Sequence, residues 1–331
     1  VDRQEIDYLK YDPYGNVIDQ TIERYAELDS LIDYKVITNV YDNEVAQRRG
    51  NATHSTITRY ADIAKTSEIE RQEIYNISFD TRGNITSQII ELWVPDLGVE
   101  KMSRKTEILN SNISNLGNAG NQAITTYIYN EATGTADTLT GYQEILNRRF
   151  DSDSNVKNQQ VYNYTKELGT LLDIQEVRND LFDSRGNVLL QTIATFAEDW
   201  TLLDVKVIKN EFVDSLGNAY KTTILKYAAL ESPVTPDGAI MPKEFMDATV
   251  ITATNSLRTD FDLRGNAILQ TIERYSDALL TSLIETQSIT NSAYTFMDRL
   301  VHSSITTTNS LGSFVDRQEI DYLKYDPYGN V

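Results

Sequence analysis

Two histidines, His54 and His302, are the first residues to ask for proton-transfer or metal chemistry in these 331 residues. They stand far apart in unrelated contexts, and a metal centre or Ser–His pair needs partners at defined spacing. Both therefore read as surface residues of strands. Paired carboxylates could hydrolyse glycosides, but with 49 Asp and Glu some pair must fall close by chance. The run Asp151-Ser152-Asp153-Ser154-Asn155 starts like a Ca²⁺ loop and lacks the Gly and closing Glu that complete one. Asp151, Asp153 and Asn155 are thus an incomplete Ca²⁺ set, and no other cofactor is expected. Gly117-Asn118-Ala119-Gly120 sits in a turn with no helix after it, so it is no phosphate loop. The expectation is a protein that is not an enzyme.

Asn51, Asn76, Asn84, Asn112 and Asn163 each open an Asn-x-Ser/Thr triplet. In a secreted protein these accept glycans, although a chain this rich in Asn, Ser and Thr produces such triplets by composition. Tyr recurs at regular intervals, either as stacking platforms for a glycan partner or as a packed aromatic ladder. Recurrence in nearly every unit favours the ladder.

The net charge of −19 repels phosphate backbones and anionic lipid, which argues against nucleic-acid partners. No apolar run approaches a membrane span, so no membrane insertion is expected. With 0 cysteines, disulfides and thiol chemistry are excluded. Tyr, Ile, Val, Thr, Asn and Asp dominate, which is the composition of strands joined by polar turns.

Residues 1–17 and 315–331 carry the same seventeen letters, VDRQEIDYLKYDPYGNV, at an offset of 314. The chain reads as one period plus an overlap, cut from a longer continuous array. Inside the period lies a degenerate unit punctuated by an aromatic or apolar residue, Asp, two variable residues, Gly and Asn. Asp12/Gly15, Asp80/Gly83, Asp183/Gly186, Asp214/Gly217 and Asp262/Gly265 are the clear copies, and Gly329 repeats the first. Looser ones fall at Gly50, Gly117, Ser154 and Gly312. Most intervals run from 31 to 37 residues, two stretch to 47 or 48, and the last shrinks to 17. Counting from the Gly, a Gln tends to follow at position five, Ile or Val at seven, and an aromatic at ten.

The Asp supplies an Asx turn and the Gly a residue with φ > 0, which together predict hairpin loops. Before each turn an Asn recurs, at Asn39, Asn76, Asn110, Asn147, Asn179 and Asn210. Asn is depleted in strands, so it either bonds its counterpart one layer away as a ladder or ends the strand. Positions seven and ten cannot share a face of a regular strand. Either a β-bulge intervenes, or both faces are covered. A single hairpin is marginal in water; stacked hairpins bury what each alone exposes. The predicted fold is all-β, tandem hairpins stacked as a solenoid, β-spiral or tube, with equivalent Gly turns lined up layer upon layer. Residues 228–247, with Pro233, Pro236 and Pro242, read as a protruding loop.

The stretch Tyr8-Leu9-Lys10-Tyr11-Asp12-Pro13-Tyr14-Gly15-Asn16, repeated from Tyr322 to Asn330, resembles the YD-repeat or RHS-repeat family. Elsewhere Phe or Val replaces the Tyr, and Asn rather than Arg follows the Gly. The resemblance implies β-hairpin spirals of the kind found in bacterial toxin shells and animal cell-surface proteins. The expected role is structural, in an extracellular or cell-surface filament, sheath or stalk whose partners are further copies of the same repeat. An adhesin or glycan-binding shaft that makes contact through residues 228–247, or a toxin-carrier shell segment, are the alternatives.

Overall fold

The computed structural model of the protein describes residues 3–26, 29–255, 259–326 and 328–331. The chain divides into two compact units, Val1–Tyr142 and Gln143–Val331. In the first lie β1 (Arg3–Tyr11), β2 (Val17–Ala26), β3 (Ser30–Val40), the short helix α1 (Glu44–Arg49) and β4 (His54–Tyr60). They are followed by β5 (Glu68–Phe79), β6 (Ile85–Asp96), β7 (Val99–Ile113) and β8 (Ala119–Asn130). The division falls within β9 (Thr135–Phe150). The second unit continues with β10 (Val156–Tyr164), β11 (Leu171–Phe182), β12 (Val188–Phe196), β13 (Leu202–Val213) and β14 (Ala219–Leu230). It ends with β15 (Pro242–Ala253), β16 (Leu269–Tyr275), β17 (Leu283–Tyr294), β18 (Leu300–Asn309) and β19 (Phe314–Asp321).

The protein is all-β, and its hairpins follow one another in sequence order. From β1 to β8 in the first unit, and from β10 to β19 in the second, each strand pairs antiparallel with the next. Such a meander keeps every pairing local, because a hairpin loop suffices to connect antiparallel neighbours.

A bulge does accompany the aromatic, but on the facing strand, so Ile and the aromatic stay three residues apart on one strand and point to opposite faces of the sheet. The register slips immediately before Tyr25, Tyr60, Trp93, Tyr164, Phe196, Tyr227 and Tyr275. In each case the opposing strand carries one extra residue, for example Ile32 between Leu31↔Tyr25 and Asp33↔Arg24. An extra residue bends its strand and re-aims the side chains beyond it.

Three expectations from the sequence are corrected by the architecture. Gly50 does not close a hairpin turn; it ends α1 in the left-handed conformation, at φ 69, and the helix is N-capped by Asn43. Gly312 belongs to the opposite end of the strands, since its turn joins β18 to β19. The turn expected in its place lies at residues 295–299, with Asp298 at φ 57, 33 residues after Gly265 and 31 before Gly329. The rhythm had not broken; one copy had lost its glycine.

Residues 228–247 are the third correction. Their two ends belong to β14 and β15, and the middle does not protrude but lies back over the sheet. Ile240 is buried with Ile174, Ala194, Phe196 and Val205, and Val234 packs on the same cluster. The prolines and glycine end the strands, while Val234 and Ile240 supply the apolar surface that draws the segment inward.

Candidate functional site

The repeated feature is the turn itself. At Asp80–Asn84 the Asp80 N–H donates to Asn84 O at 2.9 Å, and Gly83 N–H donates to Asp80 O at 3.1 Å. The Asp80 carboxylate accepts from Arg82 N–H at 2.8 Å, Asn84 N–H at 2.9 Å and Asn84 Nδ2 at 2.9 Å. The same Asx architecture recurs at Asp12, Asp151, Asp183, Asp214, Asp262 and Asp326. These bonds favour the ionised carboxylate. The Asn84 side chain, then the Asn84 and Arg82 backbone, hold Asp80 down at about 2, and Asn155 and Asn330 likewise lower Asp151 and Asp326. Ser114, Thr295 and Asn309 play the Asp role with their own side-chain oxygens.

Successive turns touch. A Cβ added to Gly83 would lie 3.0 Å from Asn51 Nδ2, one at Gly117 3.2 Å from Asn84 Oδ1, and one at Gly50 3.1 Å from Asn16 Oδ1. In the second unit the pairs are Gly186 with Asn155 at 2.8 Å and Gly265 with Asn218 at 2.9 Å. At these five positions the motif's Gly and Asn are partners across layers: the Asn of one turn fills the space left by the missing side chain of the next. Gly83 is required twice over, by its φ of 93 and by that approach.

Gly217 corrects the expectation that every clear copy of the motif is layered in the same way. It does form its turn, at φ 89, with its N–H donating to Asp214 O at 3.2 Å. Yet Gly217 is exposed, and a Cβ placed there would meet nothing within 4 Å. Its glycine is therefore demanded by backbone conformation alone, as is that of Gly15. The contact from the preceding turn is made elsewhere, by Arg185 donating to Val213 O. Arginine is in fact a second tie between turns, one the sequence reasoning missed. Arg82 reaches Ile113 O at 2.6 Å and Ser114 O at 3.0 Å, and Arg264 reaches Thr295 O at 2.7 Å.

One layer inward, the recurrent Asn residues do not form an Asn–Asn ladder. Asn179 Nδ2 donates to Val156 O at 2.8 Å, and its Oδ1 accepts from Gln191 Nε2 at 2.6 Å. Asn76 does the same with Ala52 O and Gln88, and Asn110 with Ile85 O and Gln122. Asn39 and Asn210 donate to Val17 O and Val188 O and accept from Ser55 and Thr222 hydroxyls. Each Asn is a staple that ties its strand to the segments on either side, and the residue at position five, Gln88, Gln122 or Gln191 and in two units Ser55 or Thr222, donates to its Oδ1. Asn147 is buried in β9. Asn291 continues the series through Ala267 O at 2.8 Å, unforeseen because its turn lacks the glycine.

The remaining candidates are placed by the same bonds. Asp151 accepts from Asp153 N–H, Asn155 N–H and Asn155 Nδ2, so Asp151, Asp153 and Asn155 form one of the Asx turns. No cluster of three metal-ligating groups exists among the described residues. Of the five glycan-acceptor candidates, Asn76, Asn84 and Asn163 have their amide nitrogens engaged, and Asn51 lies against Gly83. Asn112 is exposed in β7 with a left-handed backbone, φ 52. His54 Nε2 sits 2.6 Å from Glu73 Oε2 with its ring stacked on Tyr75, and His302 Nδ1 sits 2.7 Å from Asp321. Both histidines are part-buried and hydrogen-bonded to a carboxylate on the neighbouring strand.

Two buried charge networks complete the interior. In the first unit Arg24 grips Asp33 with two nitrogens, and Arg59 lies 3.5 Å from Asp33 and 3.2 Å from Glu70. Burial, then Arg24, pushes the neighbouring Lys35 down. In the second unit Glu176 is shared by Arg148 at 2.8 Å and Arg178 at 3.0 Å. Arg178 also donates to Gly238 O at 2.8 Å and Thr235 O at 3.0 Å, and Asn158 to Pro236 O at 2.6 Å. These bonds seat the folded-back segment by its carbonyls.

Fold and ladder together define a tandem β-hairpin protein whose repeated motif is a stacking device. No family model matches the chain, and no curated protein matches it. Among solved structures it is similar to the TcdB2-TccC3 crystal structure, at 13% identity and a TM-score of 0.14 over 97% of this chain. It is also similar to the Photorhabdus luminescens Tc holotoxin pore, at 12% identity and a TM-score of 0.13. The chain spans about a fifth of the length of these structures, 19% and 22% respectively. At such scores they carry no inference about its role.

Proposed function

We propose that this chain is a structural segment of an extracellular or cell-surface filament, sheath or stalk, and that it has no catalytic role. The observation that carries the proposal is the Asn-to-Gly stacking of successive turns. A motif whose two defining residues serve its neighbours, and no ligand, has been spent on propagation. The turn carboxylates close their own turns, and the amides of Asn76 and Asn163 are held by Ala52 O and Asp173. The chain's Tyr8–Asn16 likeness to YD repeats is consistent with this reading and is proposed as kinship. The alternative is an adhesin that makes contact through residues 228–247, whose segment 231–241 is anchored on the sheet by Val234 and Ile240 and exposes Pro233, Pro236 and Asp237.

The test is to express one, two and four 314-residue blocks in tandem and image them by electron microscopy. Rods whose length grows in proportion to block number are expected. Separate compact particles, one per block, would overturn the proposal.

A further inference from the structure

Phe212 and Asn112 stand at the same point of their units, two residues before the turns that begin at Asp214 and Ser114. Both have a left-handed backbone, φ 55 and φ 52. Asn tolerates that conformation because its short polar side chain bonds locally, whereas a bulky aromatic carries a steric cost there. Burial does not offset the cost. Phe212 is 77% exposed and meets the Tyr220 ring only edge-on, at 6.3 Å. An exposed aromatic, strained at a position that suits Asn, points to a use outside the fold.

The ring borders a groove of about 340 Å³ in the second unit, at the ends of β11, β12 and β13 nearest those turns. Such a volume lies at the small end of the range for small-molecule sites, roughly 300–1,000 Å³. Leu181 pairs with Leu190 and Leu190 with Lys209, which sets the three in one row on one face of the sheet. Leu189 and Phe212 complete the apolar lining, in which Leu181 is 54% exposed. The groove lies beside the Asp183–Asn187 and Asp214–Asn218 turns, where the Asn-to-Gly contact is missing and a Cβ on Gly217 meets nothing within 4 Å. At its rim Lys209 donates to Glu211 at 2.8 Å, and Lys221 approaches the same carboxylate at 3.8 Å. Two ammoniums share one carboxylate, a local surplus of positive charge in a chain of net charge −19.

We propose that this groove binds a free aliphatic carboxylate, its chain laid on Leu181, Leu189, Leu190 and the Phe212 ring and its head group drawn to Lys209. Burial of the chain supplies the affinity, and the lysine surplus selects an anionic end over a cationic one. One groove suits one chain of one molecule, whereas an anionic bilayer would be repelled by the net charge of −19 around it. The site goes beyond the proposed structural role and does not depend on it.

The test titrates the full chain with decanoate, below its micellar concentration, by isothermal calorimetry. Saturable binding is expected, with decyltrimethylammonium, a cation of the same chain length, bound about fivefold more weakly or less. Lys209→Gln should weaken decanoate by about fivefold, and Glu211→Gln, which removes the competing carboxylate, should tighten it by a similar factor. Phe212→Asn installs the residue that β7 carries at this point. It should weaken binding about tenfold or more, the worth of an apolar side chain withdrawn from a contact, and leave the urea midpoint level or raised. Absence of saturable binding, equal binding of the two amphiphiles, or capture of anionic phospholipid vesicles in preference to free decanoate would overturn the proposal. So would a Phe212→Asn chain that still binds as tightly, or one whose loss of binding comes with a fall in stability.

Discussion

At the scale of single residues, the turn glycines separate two effects that usually travel together. Gly15 and Gly83 both have left-handed φ, 87 and 93, but a Cβ at Gly15 meets nothing within 4 Å while one at Gly83 meets Asn51. Gly15→Ala should therefore cost only the backbone strain, about 1–2 kcal/mol. Gly83→Ala should cost that plus the displaced Asn51, for a total of roughly 2–4 kcal/mol by the cost of overpacking a tight site. Urea denaturation of the two variants measures the difference, and equal losses would mean that the turns do not brace one another. The turn carboxylates give a second residue-level prediction. Asp80 is held at about 2, below its unfolded value, so the folded chain holds fewer protons than the unfolded one through that range. The stability it lends is present above the unfolded pKa and is lost as pH falls toward 2. Carbon-detected NMR titration should place the Asp80 midpoint near 2, and Asn84→Ala should move it up toward the ordinary Asp range. The Asp and Gly of the turn were legible in the sequence because their requirement is local. The partnership of an Asn with the next Gly was not, because it joins residues 31 to 47 positions apart, and the motif alone cannot tell the packed Gly83 from the open Gly217.

At the scale of strands, what the sequence shows is periodicity, and what it hides is the direction of each polar bond. The recurrence of Asn before the turn and Gln after it was plain, yet nothing in the letters says that one amide bridges to the other. Asn179 is 6% exposed and makes both bonds of the staple. Asn179→Ala strands the Val156 carbonyl and the Gln191 amide, and should cost about 1–3 kcal/mol. A double-mutant cycle with Gln191→Ala should show coupling between the two positions, whereas independent losses would deny the staple. Helix α1 was hidden by the repeat itself. Asn43 accepts from Ala46 N–H at 3.0 Å and Glu44 pairs with Arg48, both legible as helix signals, but Gly50 keeps its place in the ladder and so mimics a turn. Strand β5 carries its own pH sensitivity. Burial, then a hydrogen bond to Glu100, pushes Glu68 up to about 7, while Arg71 holds Glu100 low. The folded pKa lies above the unfolded one, so Glu68 weakens the fold progressively as pH rises from about 4.5 to 7. Glu68→Gln should raise the melting temperature at pH 8 and leave it nearly unchanged at pH 4; an equal shift at both would mean the carboxyl is not protonated in the folded state.

At the scale of the whole molecule, the all-β hairpin order was legible because local turns dictate a meander. The fate of residues 231–241 was not, because their Pro and Gly content speaks only to backbone breaks. Their destination is decided by Val234 and Ile240 and by Arg178 three strands away in sequence. The larger consequence concerns cooperativity. In a globular domain a damaged core weakens every strand, whereas in an array stability is a sum of units and nearest-neighbour terms. Buried side chains here are spread along both units, with Val94 and Met102 in the first and Ile174 and Val205 in the second. Gly83→Ala strikes a turn whose stacking partners are Asn51 on one side and, through Asn84, Gly117 on the other. Amide hydrogen exchange in that variant should accelerate in β5 to β8, which flank those turns, by the factor its stability loss dictates. Protection in β11 to β14 should stay at the level of the unsubstituted chain. If protection falls equally in both sets of strands, the hairpins share one cooperative core, and a nearest-neighbour account of their stability is wrong.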